Sequence, residues 1–410
     1  MIKDILKKII PVTYHKIERE HKTCLSELEN KSEVSLQKLT ENVKESLVDT
    51  ETKLQRTLRD SISRMKDVIW KLDHNFPQIK NELNQIQESV DRCSELLEEI
   101  PGQYKYNNNY ERKVISSFYE IYEKPDFKEK FFKLIDGLDS EYIDEVVKIL
   151  QRQRLIKDTM NQEIDLFTVE EQQQILKIDK ELKQQIFRIS DDIYCYKHYF
   201  LPIPHFEASV FLYKHGINCI EHPEILKDKD ILDVGGYIGD SILVLKELTD
   251  QKIYSFEATS ENFALMQKTI ELNQLDNVVL ECMALGSEQG TLSMDLAGSS
   301  SAFRGNGIVK KIGTETVHVN TLDSYMENKE INVGLIKVDI EGAEQDFMKG
   351  AKKTIEKYKP VLLMSIYHNA DDFFSIKPIL ESWNLGYKFK IYKPIDYSVS
   401  REVLLIAEIR

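Results

Sequence analysis

Between Met65 and Ile100 apolar residues recur at alternating steps of four and three: Met65, Ile69, Leu72, Phe76, Ile79, Leu83, Ile86, Val90, Cys93, Leu97 and Ile100. Such spacing is a heptad seam, which keeps one apolar edge of a helix turned toward a partner helix. Upstream it loosens through Leu36, Leu39, Val43, Leu47, Leu54, Leu58 and Ile62 toward an eleven-residue repeat, predicting a straighter or locally unwound supercoil. Residues 15–100 thus predict one long coiled coil, kinked at Pro77, whose ring removes a backbone donor and crowds the carbonyl of Asp73. Heptads permit an antiparallel hairpin within one chain as well as association between chains. Because no loop signal interrupts the run before Pro101-Gly102, the pattern favours a homo-oligomer.

In residues 1–14, Ile2, Ile5, Leu6 and Ile9 share one helical face with lysines opposite, a short amphipathic helix suited to docking or to peripheral contact with an anionic membrane surface. Residues 101–110 are turn-rich and non-periodic, as a linker is. From 111 to 204 the pattern is helical, broken at Pro125 and Gly137 and restarted by a capping box at Thr168-Val-Glu-Glu171. This region carries no catalytic signature and reads as a spacer or packing platform, with acceptor recognition as the other role open to it.

After Leu201-Pro-Ile-Pro204 short β-rich runs alternate with helical stretches. Ile231–Val234, Lys252–Phe256, Val278–Cys282, Leu335–Val338 and Val361–Ile366 are the predicted strands, with helices near 239–248, 260–273, 343–357 and 371–383. Alternation of this kind means a doubly wound α/β sheet, its parallel strands covered by helices on both faces. Tyr387–Tyr392 and Glu402–Glu408 follow with no helix between them and predict a C-terminal antiparallel hairpin. Residues 205–410 form this domain.

Composition alters the picture in three respects. A chain of 410 residues is too long for a single growing core, and 30% charged residues suit a long exposed helix beside a globular part. A formal charge of -14, without a compensating Lys/Arg run, disfavours nucleic acid as a partner. Five scattered cysteines without a C-x-x-C pair, and a first segment interrupted by Lys3, Asp4, Lys7 and Lys8, predict a cytoplasmic protein with no export signal.

The chemistry concentrates after the first strand of the C-terminal domain. Ile231-Leu-Asp-Val-Gly-Gly-Tyr-Ile-Gly239 reads as a strand, a glycine-rich turn and a helix start, in which Gly235 and Gly236 would let backbone approach a ligand and Gly239 would let the helix pack close. Glu257 closes the next strand beside Ala258, where a carboxylate can accept bonds from both hydroxyls of a ribose. Nicotinamide folds share these parts but prefer G-x-G-x-x-G, with a pyrophosphate on the helix N-terminus. Here the spacing is D-x-G-G-x-x-G, and Asp233 would repel a pyrophosphate while suiting the cationic amino group of a methionine moiety.

Taken in order, Asp233-Val-Gly-Gly-Tyr-Ile-Gly-Asp-Ser241, Phe256-Glu-Ala258, Ala284-Leu-Gly286, Asn320-Thr-Leu-Asp323, Lys337-Val-Asp-Ile-Glu-Gly-Ala-Glu344 and Ser365-Ile-Tyr-His368 resemble the FkbM-type methyltransferase family. The resemblance covers about half of the chain. It implies a Rossmann-like methyltransferase sheet, S-adenosylmethionine as donor, and O-methylation of the kind used in polyketide, glycolipid or polysaccharide modification. The expected cofactor residues are Asp233, Gly235, Gly236, Gly239, Glu257 and Ala258. A sugar, glycan or similar small polar molecule is the expected acceptor.

Asp339, Glu341 and His368 end strands at the same sheet edge and are the expected catalytic residues. His368 would accept the acceptor's proton, held in orientation by Asp339. Two carboxylates and an imidazole could instead hold a divalent Mg or Mn ion. Glu344 is either part of this group or a first-turn residue favoured by the helix dipole. The competing functions are a nicotinamide-dependent oxidoreductase and a coiled-coil scaffold bearing an idle methyltransferase fold.

Overall fold

The computed structural model describes residues 112–158, 166–297 and 311–409, together with helical positions within 53–64. The chain divides into two compact units, Met1–Gly102 and Gln103–Arg410. The amphipathic helix expected at 1–14, the linker at 101–110 and nearly all of the coiled coil at 15–100 lie outside the described residues. Among the described residues no helix is long and apolar enough to cross a membrane.

The second unit opens with helices α1 (Arg112–Tyr122), α2 (Phe127–Ile135), α3 (Ser140–Asp158) and α4 (Val169–Glu181). Pro125 and Gly137 fall in the breaks between the first three, and the capping box forms, since the Thr168 hydroxyl accepts from the N–H of Glu171 while the Glu171 carboxylate accepts from the N–H of Thr168. The helical reading of 111–204 fails beyond this point. Residues Phe187–Ser190 (β1), Ile193–Tyr196 (β2) and Tyr199–Leu201 (β3) form a three-stranded antiparallel sheet. β1 is exposed along its whole length, so its side chains offer no alternating buried face to announce a strand.

A helix α5 (Ala208–Phe211) leads into the large sheet, built from β4 (Asp230–Val234), β5 (Ile253–Glu257), β6 (Val278–Cys282), β10 (Val333–Val338), β11 (Val361–Ser365), β12 (Lys388–Tyr392) and β13 (Leu404–Glu408). Helices α6 (Asp240–Leu245), α7 (Ser260–Leu272), α8 (Leu322–Tyr325), α9 (Glu344–Tyr358) and α10 (Ala370–Ser382) connect it. The order is β12-β13-β11-β10-β4-β5-β6, parallel except that β13 runs antiparallel to both β11 and β12. A smaller sheet of β7 (Ala284–Leu285), β8 (Gly290–Ala297) and β9 (Lys311–Asn320) is inserted between β6 and β10.

Buried parallel strands must be apolar on both faces, and here alternate residues feed two separate cores. Leu232, Val234, Phe256, Ile336, Val338 and Met364 join one with α9 and α10, while Ile231, Ile253, Leu335 and Leu363 join the other with α6 and α7. Helices α1, α2 and α3 send Phe118, Leu134 and Ile149 into the first of these cores, and α4 sends Ile178 into the second, so these helices are not a detached domain. Phe118 packs edge-on against Phe373 at 5.3 Å, the Ser117 hydroxyl caps the N–H of Ala370 at 3.0 Å, and the buried Lys377 ammonium donates to the carbonyl of Asp136 at 2.6 Å. The helical region is therefore a packing platform for the sheet.

Candidate active site

The strand order changes direction between β4 and β10, the switch point at whose carboxyl edge α/β sheets place their ligands. Gly235 follows β4 with φ +83, and a Cβ there would overlap the carbonyl oxygen of Asp339, the residue that follows β10. A Cβ at Gly236 would overlap the Ser255 hydroxyl. The Cβ side of each of these glycines is thus filled by protein, and only glycine fits at either position. Gly239 stands at the N-cap of α6 against Met266.

Asp233 also differs from expectation. Its side chain is 0% exposed, and its Oδ2 accepts from the hydroxyls of Ser241 at 2.9 Å and Ser255 at 2.7 Å. Its Oδ1 lies 3.1 Å from the ammonium of Lys337, the residue opposite it in register on β10, and that ammonium also donates to the carbonyl of Gly235 at 2.7 Å. Burial opposes the Lys337 charge, but the carboxylates of Asp233 and Asp339 more than offset it and raise the lysine above its ordinary range. Asp233 holds the glycine turn to β10 from inside; it does not face the cleft.

Glu257 does reach the cleft edge. Its Oε1 accepts from the N–H and hydroxyl of Thr259 at 2.9 and 2.7 Å, and its Oε2 from the N–H of Tyr237 at 3.1 Å. Oε2 therefore keeps a second lone pair for a ribose hydroxyl. Ala258, beside it, is half-buried.

Asp339, Glu341 and His368 come together as expected, but Glu344 is the group that orients the histidine. Glu344 is fully buried at the start of α9, where its Oε1 accepts from the N–H of Ile340 at 3.0 Å and meets His368 Nδ1 at 2.9 Å. The opposite nitrogen, Nε2, lies 3.3 Å from Asp339 Oδ1 and 3.9 Å from Glu341 Oε2 without an aligned hydrogen bond to either. The His368 side chain is 6% exposed and that of Glu341 85%, so Glu341 stands at the mouth. Burial alone would lower the His368 pKa. The bond to Glu344 and the charges of Asp339 and Glu341 outweigh it and lift the pKa to about 9. Burial likewise raises Asp339, while pairing with the imidazole outweighs burial at Glu344 and lowers it. One donor atom each from Asp339, Glu344 and His368 lies within 4.8 Å of the others, so the structure puts Glu344, in place of Glu341, in the tightest group that could hold a metal.

An edge bearing Asp339 and the exposed Glu341, with the Glu257 carboxylate at the end of β5, suits a ribose-bearing cation. S-adenosylmethionine is such a molecule. Residues 233–389 match the family model described as the methyltransferase FkbM domain. The C-terminal half of the chain carries an FkbM methyltransferase domain. The chain is also similar to Methyltransferase 1 of Beauveria bassiana (strain ARSEF 2860), 26% identical over 200 residues that cover 43% of this chain and 79% of the relative. Among solved structures it is similar to the FkbM methyltransferase of Methylobacillus flagellatus KT, at 15% identity and TM-score 0.43, covering 81% of this chain and 71% of that one. It is also similar to an O-methyltransferase of Bacillus cereus in complex with SAH, at 12% identity and TM-score 0.32, covering 63% and 96%. The glycine turn, Glu257 and the Asp339–His368 group of this domain occupy one sheet edge.

Proposed function

We propose that this domain methylates a hydroxyl of a sugar, glycan or similar small polar acceptor. The observation that supports the reading best is His368, pinned at Nδ1 by the buried Glu344 while Nε2 stands unbonded beside Asp339. S-adenosylmethionine, when bound, supplies a methyl group on a cationic sulfur. A neutral hydroxyl attacks it poorly, so the protein must align the oxygen and take its proton. Asp339 and the exposed Glu341 accept hydrogen bonds, which neighbouring hydroxyls of a polyol donate in pairs. As the O–CH3 bond forms and the S–CH3 bond breaks, Nε2 of neutral His368 takes the hydroxyl proton. His368 holds its own proton less firmly when a cation lies beside it, which brings the imidazole back toward its neutral form in the loaded cleft.

A second reading rests on the same unbonded nitrogen. A His and two carboxylates suit Mg or Mn, which would lower the hydroxyl's pKa directly. Turnover of a glycoside panel, followed by S-adenosylhomocysteine release, tests both. His368→Ala and Asp339→Ala are expected to lose about a hundredfold or more in turnover with cofactor affinity nearly kept. Loss of activity in EDTA with recovery in Mn would replace proton transfer to His368 by the metal reading. Turnover near wild type in both variants would leave alignment alone to carry the reaction.

A further inference from the structure

His368 sits in a short connection between β11, which ends at Ser365, and α10, which begins at Ala370. Its ring is tied to Glu344, but where that ring stands also depends on the backbone that carries it. Both ends of the connection are held by distant parts of the chain. At its start the N–H of Ile366 donates to the carbonyl of Val403 at 3.0 Å, which extends the pairing of β11 with β13 by one residue. At its end the N–H of Ala370 donates to the hydroxyl of Ser117 at 3.0 Å. Ser117 lies on α1, in the helical platform that precedes the segment matched by the family model.

The N–H groups in the first turn of a helix have no partner inside that helix. In α10 the N-cap residue Asn369 satisfies one of them, its Oδ1 accepting from the N–H of Asp372 at 2.9 Å. Ala370 is 3% exposed, so its N–H needs an acceptor from the protein, and α1 supplies it. Ring packing holds α1 and α2 against α10: Phe118 meets Phe373 at 5.3 Å and Phe127 meets Phe374 at 5.8 Å. From the other side Gly342, in the turn after β10, lies against the connection, since a Cβ there would come within 3.2 Å of Asn369 Nδ2 and 3.8 Å of His368 Cβ. The connection is thus held between α1 and the turn that carries Asp339.

We propose that Ser117 is a positioning residue for methyl transfer: its bond to Ala370 fixes the start of α10, and through it the place of the His368 imidazole beside Asp339. The helical platform then belongs to the reacting site as well as to the core, and acts on it through the backbone of α10. Alignment makes the effect measurable, because a remote change that misplaces a reacting group by about 1 Å can cost about a hundredfold in rate. With Glu344 still bonded to the ring, loss of the Ser117 bond alone displaces His368 less, and a loss of about tenfold is expected.

The inference rests on the reading of His368 as the group that takes the acceptor proton, and two measurements on the full chain keep the two apart. The first is turnover of the glycoside panel per cofactor site, the sites being counted from the calorimetric stoichiometry of S-adenosylhomocysteine, so that unfolded chains are left out. Alanine keeps α1 helical, and Ser117→Ala is expected to turn over about tenfold more slowly per site while binding S-adenosylhomocysteine within about twofold of wild type. Ser117→Thr, which keeps the hydroxyl, is expected to recover to within about threefold of wild type. The second is NMR of the chain carrying isotope-labelled histidine, in which the His368 signal is identified by its loss in His368→Ala. That signal is expected to shift or broaden in Ser117→Ala and to return in Ser117→Thr. A wild-type rate per site or an unmoved His368 signal in Ser117→Ala overturns the proposal, as does a Ser117→Thr chain that matches Ser117→Ala in both. A wild-type chain that turns over none of the panel, or a His368→Ala chain at the wild-type rate, overturns the reading of the function instead, and the His368 signal then decides the positioning of the ring.

Discussion

Lys337→Met tests whether Asp233 is a structural anchor or a ligand-facing group. Asp233 is 0% exposed and Lys337 4% exposed, at 3.1 Å, so removing the ammonium strands a carboxylate where water cannot reach it. Breaking a buried pair in this way costs roughly 3–5 kcal/mol. The hydroxyls of Ser241 and Ser255 remain bonded to the carboxylate, which puts the expected loss at the low end, about 3 kcal/mol. At about 2 °C per kcal/mol for a unit of this size, the main thermal transition falls by about 6 °C. Asp233→Asn leaves the lysine charge buried instead and is expected to lose a similar amount. The double variant contains neither stranded charge and is expected to recover at least half of the loss, the non-additivity that coupled groups show. Differential scanning calorimetry of the four proteins, with S-adenosylhomocysteine titrations beside it, reads all of this. If Lys337→Met melts within about 1 °C of wild type while Asp233→Asn abolishes ligand binding without loss of stability, the anchor assignment is wrong and the ligand-facing role of Asp233 is restored.

Glu257→Ala is expected to weaken S-adenosylhomocysteine binding at least tenfold, about 1.4 kcal/mol, through loss of a charged acceptor; unchanged affinity by calorimetry would remove Glu257 from the site. His215 is buried in a left-handed conformation, and burial first, then the charge of Lys337, lower its pKa from 6.5 to about 4. The unfolded chain therefore takes up this proton before the folded one, so the histidine's contribution is intact above about pH 6.5 and lost as pH falls toward 4. His215→Asn, whose side chain tolerates that backbone, is expected to flatten the melting temperature across this window, and an unchanged acid limb would refute the assignment.

The central strands were legible in the sequence to within a residue or two, because a parallel strand covered on both faces must be apolar throughout, as at Ile231–Val234 and Leu335–Val338. The capping box at Thr168, the breaks at Pro125 and Gly137, and the gathering of Asp339, Glu341 and His368 at one edge were legible for equally local reasons. β1 to β3 and the inserted strands β8 and β9 were not, since short or exposed strands leave little periodicity to read.

What each polar residue does was decided only by the fold. Motif position alone made Asp233 a ligand group; the register of β10 on β4 set Lys337 opposite it and enclosed both. Asp339 was expected to orient His368, yet the first turn of α9 brings Glu344 to Nδ1 and leaves Asp339 on the open side. The class of fold was legible in the sequence because local patterns and short spacings carry that information; partners far apart in the chain are brought together only by strand order.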